Sequence, residues 1–301
     1  MTPSLRSFKS IVKINRGALA LDRDIVLSGS GLKKLAMEFK NRRCFVLLKN
    51  GEINSYMVNL LFSSVNYRFL NLKSGQRPYL EMSNTHLTGS LSFYHDLARI
   101  YSRMGKGKIA LNRMRIELDS SNFSKTVASG ICDISTRVEK IKWISKYILE
   151  NWAQFNDAYI NGDIDLLIKL MWKSEMFNDP FLKRLQHLAF SVIKEIHTFH
   201  WLVNEVRHFT ALCDYRLPEY LINNRVIHSE SGKEFFNCVD SKIYLKGDSL
   251  QTFTLRALTL DACEEIANKL GRDEIMIDNI IWNLARTNKS VTTLMVETEY
   301  F

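Results

Sequence analysis

Asp214 stands in the stretch Phe209-Thr210-Ala211-Leu212-Cys213-Asp214-Tyr215-Arg216-Leu217-Pro218-Glu219-Tyr220-Leu221, at a junction between two helical patterns. It is flanked by an aromatic and a guanidinium and is followed by a proline that fixes the turn. A carboxylate so placed can face a pocket while its backbone stays rigid, as positioned chemistry requires. The same local features also allow an ion pair with Arg216 or a capped turn. Cys213 is a poor nucleophile beside Asp214, because the neighbouring negative charge opposes its thiolate. His197 and His200 are three apart, with His208 further on, but no HExxH or paired-cysteine pattern accompanies them. They read as packed or surface residues. Neither GxGxxG nor GxSxG occurs, and Gly105-Lys106-Gly107-Lys108 departs from the phosphate-loop spacing and reads as a mobile basic loop. No metal or organic cofactor is implied.

The elements that must position these residues are mainly helical. Val138, Ile141, Ile144, Ile148 and Leu149 recur at helical spacing, as do Ile164, Leu167, Ile168 and Met171. Leu182, Leu185, Leu188, Ala189, Val192, Ile193 and Ile196 continue the pattern on one side of the 181–212 segment. Pro218 opens a further helix in its first turn, and two more are predicted over 255–270, stopped by Gly271, and over 275–284. The apolar run Cys44 to Leu48, followed by Lys49-Asn50-Gly51, reads as one small sheet element. No internal repeat or low-complexity linker is present. The organisation expected is a mixed α/β N-terminal portion over 1–125 with the basic loop, and a helical portion over 126–301, together one compact unit.

Composition narrows the class. With 46% hydrophobic residues, 13 Gly and 4 Pro in 301 residues, the chain has enough apolar material for a packed core and is neither disordered nor collagenous. Five scattered cysteines without a CxxC pair fit a reducing cytoplasmic compartment. No stretch reaches the roughly 20 apolar residues of a membrane span. The formal charge is +9, and Arg99, Arg103, Lys106, Lys108, Arg113 and Arg115 lie close together in sequence. Six cations exceed the need of one free nucleotide, whereas a polymer releases counterions at each neutralised phosphate.

Asp214-Tyr215-Arg216-Leu217-Pro218 is followed by Val226-Ile227-His228-Ser229, Val239-Asp240-Ser241, Leu245-Lys246-Gly247-Asp248-Ser249, Leu255-Arg256-Ala257, and Ile277-Asp278 with Trp282. This order resembles the C-terminal half of the queuosine salvage proteins, which hydrolyse the base–ribose bond of queuosine 5′-phosphate. Upstream, Met176-Phe177-Asn178-Asp179 resembles the family's Phe-x-Asp segment and Val65-Asn66-Tyr67-Arg68-Phe69 its Asn-Phe-x-Phe segment, so the similarity spans residues 56 to 285. The resemblance implies a helical body similar to the helix-hairpin-helix DNA glycosylases and N-glycosylase activity. It carries the catalytic carboxylates over to Asp214 and Asp179. Asp214 would stabilise positive charge on the sugar or activate water, and Asp179 would bind the base edge or assist proton traffic. By its local sequence Asp179, ahead of Pro180 and Phe181, is also a sound helix cap.

Asn66, Tyr67, Phe69, Phe177, Lys194, Tyr215 and Arg216 are the expected substrate-binding residues, and the six cations the expected nucleic-acid backbone contacts. The family's Lys-Arg-Ala-Gln stretch is placed at Lys194-Glu195-Ile196-His197, retaining only the lysine, and the tryptophan after the Asn-Phe-x-Phe segment is replaced around Leu70-Asn71. Changed pocket positions beside retained carboxylates imply the same reaction on another base. A modified base in DNA, such as that of a bacteriophage, is the favoured substrate, flipped into an apolar pocket. A queuosine 5′-phosphate hydrolase and a catalytically silent nucleic-acid-binding protein are the alternatives. The Leu-Pro-Gly-Val-Gly signature of helix-hairpin-helix repair enzymes is absent.

Overall fold

The computed structural model describes residues 2–42, 53–66, 69, 79–82, 85–127, 131–196, 204–231, 242–247, 249–287 and 293–297. Its architecture is mainly α. Helix α1 (Phe8–Ala18) leads to strand β1 (Ile25–Leu27), α2 (Gly29–Phe39) and α3 (Ile53–Val65). A hairpin of β2 (Tyr79–Met82) and β3 (Thr85–Thr88) precedes α4 (Ser90–Met104), α5 (Gly107–Glu117) and α6 (Ser120–Thr126). Then come α7 (Ile134–Glu150), α8 (Trp152–Ile160), α9 (Ile164–Trp172) and α10 (Lys183–Ile196). The C-terminal part holds α11 (Arg216–Asn223), β4 (Ile227–Ser229), β5 (Lys242–Lys246), α12 (Leu250–Leu270), α13 (Glu274–Thr287) and β6 (Thr293–Glu297).

Helix α3 shows why the molecule folds around its middle. Its sequence is apolar on every side, so no face can be left in water. Every residue from Tyr56 to Val65 is buried, packed by α4, α7 and α10. Its two buried serines avoid an unsatisfied hydroxyl by turning back on the helix: Ser63 Oγ donates to the Asn59 carbonyl at 2.7 Å and Ser64 Oγ to that of Leu61 at 2.6 Å. The stripes of α7, α9 and α10 meet this core through the residues whose spacing predicts them: Ile141 and Ile144, Leu167 and Ile168, Leu188 and Val192 are all buried. Helix α12 starts earlier than its apolar pattern suggests, because Ser249 caps it by accepting the Thr252 N–H at 3.2 Å. It ends where expected, at Gly271 with φ +60°.

The N-terminal portion is tied to the C-terminal one. Strand β1 pairs antiparallel with β4, Ile25 opposite Ser229, and α2 packs against α12. Asp24 fastens the pair, accepting from Ser229 Oγ at 2.7 Å and from the Ser231 N–H at 2.9 Å. Strands β5 and β6 pair in parallel, Lys242 opposite Thr293. The expected mobile loop at 105–108 is corrected: Gly105 and Lys106 form a tight link between α4 and α5. Gly105 at φ +117° and Gly107 at φ +53° turn a corner that residues with side chains rarely make. The predicted sheet element over 44–48 lies outside the described residues. Among the described residues no helix is long and apolar enough to cross a membrane.

Candidate active site

Residues 209–213 run without regular secondary structure towards α11, and three helices hold them. From α10, Gln186 Oε1 accepts the Thr210 N–H at 2.9 Å while its Nε2 donates to Thr210 Oγ1 at 2.9 Å. From α13, Asp278 Oδ1 accepts the Leu212 N–H at 3.0 Å. From α12, the Arg256 carbonyl accepts the Cys213 thiol at 3.3 Å. Cys213 adopts φ +45°, a left-handed conformation that costs a non-glycine residue about 1–2 kcal/mol. Held strain of this kind fixes the direction of the next side chain, which is Asp214. Asp214 is half-buried, and its Oδ1 accepts the backbone N–H of Arg216 at 2.9 Å. The turn-capping reading of Asp214 is therefore realised, through the backbone of Arg216 rather than its guanidinium.

Asp179 occupies a different setting. It is 1% exposed, and both carboxylate oxygens meet the guanidinium of Arg256 at 2.8 Å in a two-pronged ion pair. The same oxygens accept the N–H groups of Phe181 at 3.2 Å and Lys183 at 3.0 Å, so Asp179 also caps the entry to α10. Burial opposes its charge, but Arg256 and the two N–H groups together hold its carboxyl below the usual range. Arg256 thus grips Asp179 with its side chain and Cys213 with its carbonyl, and ties the two acidic stretches together.

Two residues beside Asp214 were not among the expected site residues. Asp278 is buried on α13, and its carboxyl is pushed up to about 7, first by burial and then by the negative charge of Asp214. Lys183 follows Leu182, another left-handed residue at φ +53°, and donates through Nζ to the Asn66 carbonyl at 3.2 Å. Burial lowers its ammonium to about 8, against the opposing pull of Asp214. The signal for Lys183 was in the chain: Lys183-Arg184-Leu185-Gln186 matches three residues of the Lys-Arg-Ala-Gln stretch, where 194–197 matches one. That placement is corrected accordingly. Lys194 stands near the other end of α10, about 16 Å along its axis from Lys183, with Nζ 5.2 Å from the Phe190 ring.

Three cations converge on the end of α3. The carbonyls of Ser64, Val65 and Asn66 accept from Arg184 at 3.3 Å, from Arg137, and from Lys183 at 3.2 Å respectively. Such carbonyls form the negative end of a helix and favour cations. Arg137 also lies 4.8 Å from the Phe69 ring centre and 5.3 Å from that of Phe93. Of the other expected substrate residues, Asn66, Phe69, Phe177, Tyr215 and Arg216 are buried near these elements, and Tyr67 lies outside the described residues. His197 and His200 also lie outside them, as does Val239-Asp240-Ser241.

The six cations stand on α4, on α5 and on the link between them. Arg99 pairs with buried Asp96 at 2.9 Å and Arg113 with Glu117 at 3.7 Å. Arg115 donates to Asn112 at 3.0 Å, and Lys108 sits 5.4 Å from the Trp152 ring centre. Arg103 and Lys106 are exposed. Lys108 and Arg115 line an open groove of about 460 Å³ with Ile109, Asn112, Leu149 and Glu150, on the α5–α7 side of the molecule. The chain matches no protein-family model, and no curated protein is similar to it at a stringent threshold.

Proposed function

We propose that this protein is an N-glycosylase that hydrolyses the base–sugar bond of a modified nucleotide, with a modified base in DNA as the favoured substrate. The observation that carries the reading is Asp214: half-buried, aimed by a strained residue, and set beside the proton-holding Asp278 and the cationic Lys183. A buried acid that keeps its proton to about pH 7 beside a second carboxyl group gives one site a proton holder and a separate acidic side chain. In the proposed reaction the bond from the sugar carbon to the base nitrogen breaks, and the base leaves with the electron pair. Water supplies the new carbon–oxygen bond and its proton passes to Asp214, whose negative charge also offsets the positive charge that develops on the sugar. Asp179 acts as a positioning residue through Arg256.

The order of the motifs shared with the queuosine salvage proteins supports this reading, and a helical body like that of the DNA glycosylases is part of the proposal. Arg103, Lys106, Lys108 and Arg115 favour a polymer, since they are exposed on one corner. The second reading, a free nucleotide 5′-phosphate, is favoured by the buried side chain of Arg216, two residues after Asp214 in the chain.

The test is mass spectrometry of bases released from modified DNA, unmodified DNA and queuosine 5′-phosphate, with Asp214→Asn as the blank. Asparagine keeps the oxygen that accepts the Arg216 N–H, so the variant should melt like the parent and lose about 10³-fold or more in release. Release from DNA should fall steeply with salt, and release from a mononucleotide only mildly. Silence of the parent on all three substrates, or full activity of Asp214→Asn, would overturn the proposal.

A further inference from the structure

Arg216 opens α11 two residues after Asp214 and is 5% exposed. Its backbone N–H is taken by Asp214, but its guanidinium meets no carboxylate or carbonyl acceptor among the described residues. A guanidinium so enclosed calls for an anion, because burying an uncompensated charge is costly. One of its nitrogens reaches the start of α4, 3.8 Å from where a side chain on Gly89 would begin.

That end of α4 has its own unsatisfied donors. Gly89 is the N-cap, at φ +60°, and has no side chain to close the first turn. The first intrahelical acceptor is the Gly89 carbonyl, which takes the Phe93 N–H at 3.2 Å. The N–H groups of Ser90, Leu91 and Ser92 therefore have no carbonyl within the helix, at the positive end of a 15-residue dipole. A side chain on residue 89 would fill the space beside the guanidinium, and glycine leaves it open.

We propose that Arg216 and the first turn of α4 form a binding site for a phosphate group, the one 5′ to the sugar that Asp214 faces. Backbone N–H groups with a guanidinium fork suit phosphate oxygens. The same chemistry recognises the monoester of a free nucleotide and the diester of a strand. Assigning the phosphate to the substrate rests on the glycosylase reading, whereas phosphate binding itself does not.

The probe is inorganic phosphate, titrated by calorimetry into the parent, Arg216→Gln and Leu91→Asp. Leu91 is 39% exposed in the first turn of α4. An aspartate there favours the helix and sets a carboxylate against the phosphate, so this variant tests the site without emptying the space of Arg216. Each variant should weaken phosphate by about tenfold or more. No binding to the parent, or unchanged binding to both variants, would overturn the site. Displacement of phosphate by a nucleoside 5′-monophosphate assigns the free nucleotide, displacement by DNA alone assigns the strand, and displacement by neither removes the substrate assignment. Phosphate binding without base release would leave the site standing and fell the glycosylase reading. Base release with unchanged KM in both variants would do the reverse.

Discussion

The sharpest consequence of the site concerns Asp278. Its carboxyl is raised from 3.8 to about 7, first by burial and then by the charge of Asp214. The folded state therefore binds this proton more tightly than the unfolded chain. The stabilisation is fully present below about pH 4 and is lost as pH rises through about 7. A rise of that size in proton affinity corresponds to something on the order of 4 kcal/mol. His187 works in the opposite direction. Burial, then Lys183 and Lys194, lower its imidazole from 6.5 to about 3, so its contribution is present above 6.5 and fades as pH falls. The two slopes oppose each other over the range they share, and the parent protein alone conceals both. Asp278→Asn separates them, because asparagine still accepts the Leu212 N–H and cannot titrate. Urea unfolding of parent and variant from pH 4 to pH 8 should show a difference that grows in favour of Asp278→Asn by about 4 kcal/mol. In an Asp214→Asn background the rise should be smaller and should level off at lower pH, because one cause of the raised proton affinity is gone. A difference that stays flat across the range would refute the placement of a buried acid beside Asp214.

Two further outcomes test the scaffold. Arg256→Met strands a buried carboxylate at Asp179 and should cost about 3–5 kcal/mol in urea unfolding. The double variant with Asp179→Asn should cost less than the sum of the single variants, and simple additivity would deny the pair. Arg225, exposed at φ +56°, should give the opposite sign: Arg225→Gly relieves about 1 kcal/mol and raises Tm by a degree or two, and a lower Tm would contradict that backbone.

What could be read in the chain, and what could not, divides along a physical line. The helices of 134–172 and the stop at Gly271 follow from periodicity and from glycine's freedom at positive φ, both local properties. The turn that carries Asp214 was legible for the same reason. The partner of Asp179 was not, because Arg256 lies 77 residues downstream on a helix buried on several sides, where period gives no direction. Lys183 and Arg184 look in sequence like solvated positions at a helix start, and only tertiary packing puts them inside. The Gly-Lys-Gly-Lys stretch misled in the other sense, since glycine serves a fixed corner as well as a mobile loop.

The balance of charge around α3 bears on what the site can accept. Arg137, Lys183 and Arg184 each donate to a carbonyl at the end of α3, where the partial negative charge of a helix terminus favours cations. The ammonium of Lys183 is lowered to about 8, first by burial and then by the positive charges of Arg184 and Arg256, against the opposing pull of Asp214 and Asp179. Asp179 is committed to Arg256, and Asp278 is held neutral below about pH 7. Asp214 lies close enough to Lys183 and Asp278 to act on the proton affinity of both. On the proposed function, a substrate phosphate held by Arg216 would set its sugar against Asp214, so that binding energy gathered at the phosphate serves to hold the reacting bond in place.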